Sequence, residues 1–321
     1  MSISYAGVTK IQNQFLGKSK MMKIILFITV FLLVSLYSTP SAQNKQPYSS
    51  DKPIPIPIIF EEGIISTPNV FGSTFTPDGM TFYFAKYDTV ARKASIMKSI
   101  FKDGKWLTPE VAEFSGEYFE GDPSISPDGS KIFYWSVRPK NDETRSTGAA
   151  NLWMAEKTND GFGNPIFLGD KLKISNGGAP SISSNGTMYF FTDIKGVTKK
   201  RDICKADIFN PDSVQFVRLG EEVNSDSNDY DSYVAPDESC IIFTSERAGG
   251  FGKGDLYISY KINGTWSKPV NLGDKINSSS YDYCPLVSPD GKYFFFTSSK
   301  SGKSQIYQVD MSALPIGFQT E

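Results

Sequence analysis

The chain of 321 residues contains no histidine. That absence removes Ser-His-Asp and Cys-His nucleophile pairs, imidazole general bases and zinc sites built on imidazole. Cysteine is scarce. Cys204, Cys240 and Cys284 fall in predicted strands of different repeats, are odd in number and indicate no disulfide framework. They read as small buried hydrophobes. Neither charge sign dominates, with 33 Lys+Arg against 35 Asp+Glu, which argues against a phosphate-dominated nucleic-acid binder. No glycine pattern follows a strand and opens a helix. AGGFGKGD at 248–255 joins two strands, so no helix N-terminus receives a phosphate there. None of the loops carries a D-x-D-x-D-G run, which weakens a calcium reading. The apolar run from Ile24 to Leu36 falls short of the ~20 residues that span a bilayer.

That run defines the first segment. Residues 1–42 hold Lys10, Lys18, Lys20 and Lys23 and no acid, and Ser38, Ser41 and Ala42 follow the apolar stretch. A basic start, a short apolar centre and a small-residue end read as a secretory signal peptide cleaved after Ala42. Met21 or Met22 serves equally as a start, leaving 1–20 as an upstream extension. No cysteine stands near the cleavage zone, which argues against a lipid anchor. The expected product is periplasmic or secreted, mildly acidic and without a membrane span. Residues 43–54 read as a linker, 55–312 as the folded domain and 313–321 as a tail.

A repeat of about fifty residues organises the rest. TPDG at 76–79, SPDG at 126–129, SSNG at 183–186, APDE at 235–238 and SPDG at 288–291 are copies of one turn. Pro presets φ, Asp or Asn takes the next position and Gly accepts positive φ, so each copy is a tight hairpin loop. Its acids are turn formers. A short strand precedes each turn and an aromatic one follows: TFYFAK, KIFYWS, TMYFFT, CIIFTS and YFFFTS. Runs apolar on both faces suit strands sandwiched between neighbouring sheets. A third strand comes next, then a fourth around FLGDKL, RLGEEV and NLGDKI. The expected fold is all-β: a five-bladed β-propeller of four-stranded antiparallel blades. The fifth repeat stops after its third strand, and PIPIIFEEGIIS at 55–66 stands where its outer strand belongs. This N-terminal strand should close the ring, its prolines tolerated at a sheet edge.

The SPDG-plus-aromatic-strand unit resembles the WD-like repeat of TolB-type propellers, over roughly residues 55–310. The segment at 244–277 is similar to forms found in cell-envelope proteins of Gram-negative bacteria. The resemblance implies a binding platform and leaves the role to the loops. Three departures stand out: SSNG has lost Pro and Asp, and neither TolB's separate N-terminal domain nor a peptidoglycan-binding domain accompanies the repeats. The expectation is a bare, monomeric propeller.

The loops entering the innermost strands are acidic and aromatic: EYFEGDP, NDYDS and YDYCP. Counting back from the turns puts Asp122 and Asp231 at equivalent positions beside the axis, with Glu120, Asp229 and Asp282 two residues further out. Carboxylates at the mouth of one channel form a candidate ligand site, with Tyr230 and Tyr281 as flanking contacts. The loops between second and third strands are basic. Among them Arg138 and Arg247 sit in S-x-R contexts, as ligand contacts or as braces between loops. Three functions compete. The first is a non-catalytic platform gripping an envelope protein, peptide or glycan. The second is a glycan-processing enzyme using paired carboxylates, as arabinanase-type propellers do. The third is a scaffold held by Ca²⁺, bound as a cofactor on the same oxygens.

Overall fold

The protein is described by a computed structural model over residues 46–140, 148–174, 176–193, 200–209 and 216–314. The expected signal peptide lies outside the described residues. Five antiparallel sheets form, four from strands consecutive in the chain and the fifth from the last three strands joined by one from the N-terminal side. Their inner strands are Val70–Phe75, Glu120–Ile125, Gly177–Ile182, Asp229–Val234 and Asp282–Val287. Each lies against the inner strand of the next blade, and the fifth lies against the first. This is a five-bladed β-propeller around a central channel.

The aromatic second strands explain the packing. In Tyr293–Ser298, Phe294 and Phe296 enter the core shared with blade four, while Tyr293 and Phe295 enter the core shared with blade one. Alternate side chains of one strand therefore serve two interfaces. Five apolar clusters result, one at each blade junction. Cys204 and Cys240 lie in two of them, in keeping with their reading as small buried hydrophobes.

The N-terminal segment closes the ring. Ile58–Ile59 pairs antiparallel with Gln305–Asp310, Ile58 opposite Gln308 and Ile59 opposite Tyr307. This strand is two residues long, because Pro55 and Pro57 deny it donors on its N-terminal side. The stretch expected to be a linker contributes to the fold. Tyr48 and Ile54 are buried beside Phe60, Phe75 and Phe295. The Ile54 N–H donates to Asp310 Oδ2 (2.6 Å), and the Asp310 N–H donates back to the Ile54 carbonyl (2.9 Å).

The other outer strands are also shorter than their sequence runs. They reduce to pairs such as Val217–Arg218 and Val270–Asn271. Past them the chain turns, and an asparagine side chain takes the place of a strand. The Ile203 N–H donates to Asn224 Oδ1 (2.7 Å), and Asn224 Nδ2 donates to the Ile203 carbonyl (2.9 Å). Asn277 makes the same two bonds to Leu256. The turn acids act as turn formers: Asp78, Asp128, Asp237 and Asp290 each accept from the backbone N–H two residues on.

Candidate functional site

Every inner strand carries a β-bulge at the same place. There, Gly72, Asp122, Ala179, Asp231 and Cys284 have φ between 46° and 50°. Each stands five residues before the second position of its turn. A left-handed residue is strained when it carries a Cβ, and four of these five do. A bulge re-aims its residue. The five converge on a narrow neck in the channel with a cavity of about 50 Å³. Gly72 is required there, because a Cβ would stand 2.2 Å from Asp122 Oδ1.

Three of the five side chains are chemically active. Cys284 Sγ lies 3.4 Å from Asp122 Oδ1 and 3.3 Å from Asp231 Oδ2. Trp135 Nε1 donates to the other Asp122 oxygen at 2.7 Å. Burial pushes both carboxyls up, and the neighbouring Asp122 charge raises Asp231 further, to about 8; Arg201 opposes both shifts. Burial and the two acids also push the Cys284 thiol up. The neck therefore favours the protonated form of each of these groups more than water does.

Stability should depend on pH as a result. The folded chain retains a proton on Asp231 that the unfolded chain loses near pH 4, so stability falls as pH rises from about 4 to about 8. Asp231→Asn should flatten that slope and melt above wild type at pH 8, with chelator present throughout. Melting curves between pH 5 and 9 check it, and an unchanged slope would remove Asp231 as its source.

The remaining expected residues go elsewhere. Glu120, Asp229 and Asp282 are fully buried and do not line the neck. Glu120 accepts from the Gly116 N–H (3.1 Å), Ser136 Oγ (3.0 Å) and Arg138 Nη2 (3.1 Å). Arg138 also donates to the Phe114 carbonyl (3.0 Å). Blade four repeats the device: Asp229 accepts from Ser225 and from Arg247 Nη2 (3.0 Å), and Arg247 donates to the Val223 carbonyl (2.7 Å). Each acid–arginine pair ties a blade to the preceding loop. In blade five Asp282 accepts from Ser278, but Lys300 stands where the arginines stand, its ammonium 4.0 Å from the Tyr307 ring centre. A single five-acid site therefore does not form. The bulge is the reason: without it residues 120 and 122 would share a face.

Tyr281 is exposed, with Lys253 Nζ 5.7 Å from its ring centre. Tyr230 is buried, its hydroxyl donating to Glu246 Oε1 at 3.2 Å. Its ring supports Arg201, whose guanidinium lies 5.1 Å from Tyr230 and 5.0 Å from Phe191. Across the mouth Phe119 stacks on Trp135 at 5.4 Å, with Tyr87 beyond it at 5.9 Å. Arg201 and Trp135 are thus parts of the site that lie outside the acidic loop motifs, whereas Phe119 and Cys284 lie within EYFEGDP and YDYCP. Counting five residues back from the fifth turn finds Cys284.

No protein-family model and no curated protein matches the chain. Solved structures do. A protein described as TolB from Agrobacterium tumefaciens is 17% identical, over 78% of this chain and 80% of that one, with a TM-score of 0.52. A glycoside hydrolase is 9% identical over 80% and 92%, with a TM-score of 0.53. The protein of a BT0996–RGII complex is 10% identical over 83% and 92%, also at 0.53. At these identities the likeness is one of fold. The chain has the fold of a TolB-type β-propeller.

Proposed function

We propose that the chain is an exported, non-catalytic binding platform of the bacterial envelope. Its ligand is a protein, peptide or glycan held on the channel face built from the entering loops and the loops between second and third strands. One observation carries this reading: half-exposed aromatics and Arg201 surround the neck on that face. Rigid aromatic rings and a guanidinium supply contact area at little entropic cost, and such groups dominate binding energy in interfaces. Among the described residues no helix is long and apolar enough to cross a membrane.

A glycan-cleaving role needs two carboxylates flanking a sugar, about 5–5.5 Å or 6.5–9.5 Å apart. Here Glu120, Asp229 and Asp282 are bound up in loop braces, and Asp122 and Asp231 meet through Cys284 in a neck with room for about one or two waters. The platform reading is tested with a glycan array and an envelope pull-down. Arg201→Ala and Trp135→Ala should each weaken the interaction found by roughly 10-fold or more, with melting temperature little changed for Arg201→Ala. Glycan hydrolysis by wild type, lost on Asp231→Asn, would replace this reading with the enzymatic one.

A further inference from the structure

The neck contains donors that a surface ligand does not use. Asp122, Asp231 and Cys284 each offer one ligand atom, and the three atoms lie within 4.8 Å of one another. They come from three different blades, so only the closed ring assembles them.

Their spacing suits a cation as well as it suits protons. A thiol has one proton, yet Cys284 Sγ is at hydrogen-bond distance from oxygens of two different carboxylates. A tetrahedral cation with a sulfur at about 2.3 Å and an oxygen at about 2.0–2.2 Å separates those two ligands by about 3.5–3.7 Å. The observed separations are 3.4 and 3.3 Å.

A second observation is independent of the three. Ser232, next to Asp231, lines the same neck and is 7% exposed, and its hydroxyl oxygen is buried without a hydrogen-bond partner. Buried hydroxyls ordinarily find partners. This one lines the same neck as the three donors, and a ligated water there would give it a partner.

We propose that Asp122, Asp231 and Cys284 bind one thiophilic divalent cation, zinc being the natural candidate, with the Ser232 side completing the shell. Two carboxylates and a thiolate suit a borderline-soft cation. Calcium asks for six to eight oxygen ligands and does not favour sulfur, so the Cys284 thiolate selects the softer ion. The cavity of about 50 Å³ has room for an ion and a water. The cation relieves the repulsion of the two acids, and Arg201 offsets the remaining negative charge. Binding displaces the Cys284 proton, and any proton held by the acids, into water while the metal–sulfur bond forms. The site does not depend on what the loop face binds.

The experiment uses the purified protein and zinc, cobalt and calcium salts. Cys204 and Cys240 are buried at 0% and 1% exposure, so alkylation of the folded protein reports on Cys284. We expect one zinc per protein molecule, slower alkylation with zinc but not with millimolar calcium, and a thiolate-to-metal charge-transfer band with cobalt. Cys284→Ser should abolish that band and lower zinc affinity by more than the roughly 10–100-fold that loss of an outer-shell partner costs. Asp231→Asn should lower affinity likewise. The proposal is overturned if wild type shows neither zinc protection nor the cobalt band, if calcium protects Cys284 as well as zinc, or if Cys284→Ser keeps full zinc affinity. The wild-type readings decide the matter even where a variant fails to fold.

Discussion

A chain beginning at Thr67 should fail to fold into a stable monomer, whereas one beginning at Gln43 should fold. The truncation removes Tyr48, Ile54, Phe60 and Ile65, all at 5% exposure or less. Burying a large apolar side chain contributes about 1.5–3 kcal/mol, so the loss is roughly 6–12 kcal/mol. That is the size of a whole domain's stability, about 5–15 kcal/mol. It also strips Gln305–Asp310 of its partner and leaves an unpaired edge, a template for association. Light scattering and a thermal melt of both proteins check this. A truncated protein that stays monomeric and melts with the longer one would mean that the ring closes without its N-terminal strand.

Glu120→Ala should destabilise the protein by about 3–5 kcal/mol, the usual result of breaking a buried ion pair from one side. Glu120 is fully buried, and its loss leaves the Arg138 guanidinium without its carboxylate, on a side chain only 17% exposed. Ser115, the Gly116 N–H and Ser136 lose an acceptor in the same step. Asp229→Ala should behave alike, since Arg247 is paired and exposed to the same degree. The Glu120→Ala, Arg138→Ala double variant should cost less than the two single changes added together, because removing both leaves no stranded charge. Denaturant melts of wild type, the two single variants and the double variant measure the coupling. A Glu120→Ala protein that melts like wild type but no longer binds the ligand of the channel face would return Glu120 to the binding surface.

The two acid classes differ for a reason that lies in the backbone. Asp122 and Glu120 are two residues apart, and an unbroken strand would aim both the same way. The left-handed residue at the bulge breaks that alternation, sending Asp122 to the axis and leaving Glu120 among the loops. Nothing in EGDP or DYDS announces a bulge, because neither Asp122 nor Asp231 is a glycine. All five inner strands take that φ at the equivalent position, whichever residue stands there.

The blade count, the turn acids and the closing strand were legible in the sequence because each rests on local chemistry. Pro, Asp and Gly in order make a turn wherever they stand, and an aromatic run buried on both faces needs a sheet on each side. The equivalence of Asp122 and Asp231 was legible too, since a repeat converts counting into position. The same count reaches Cys284, but tertiary structure alone decided that its sulfur meets both acids, that Arg138 and Arg247 turn inward as braces, and that Tyr48 belongs to the core. These contacts link residues 18 to 260 positions apart, within one blade for the two arginines, between blades for Cys284 and between the two ends of the ring for Tyr48. Sequence spacing specifies which residues are equivalent within repeats; only closure of five blades about one axis specifies which of them meet.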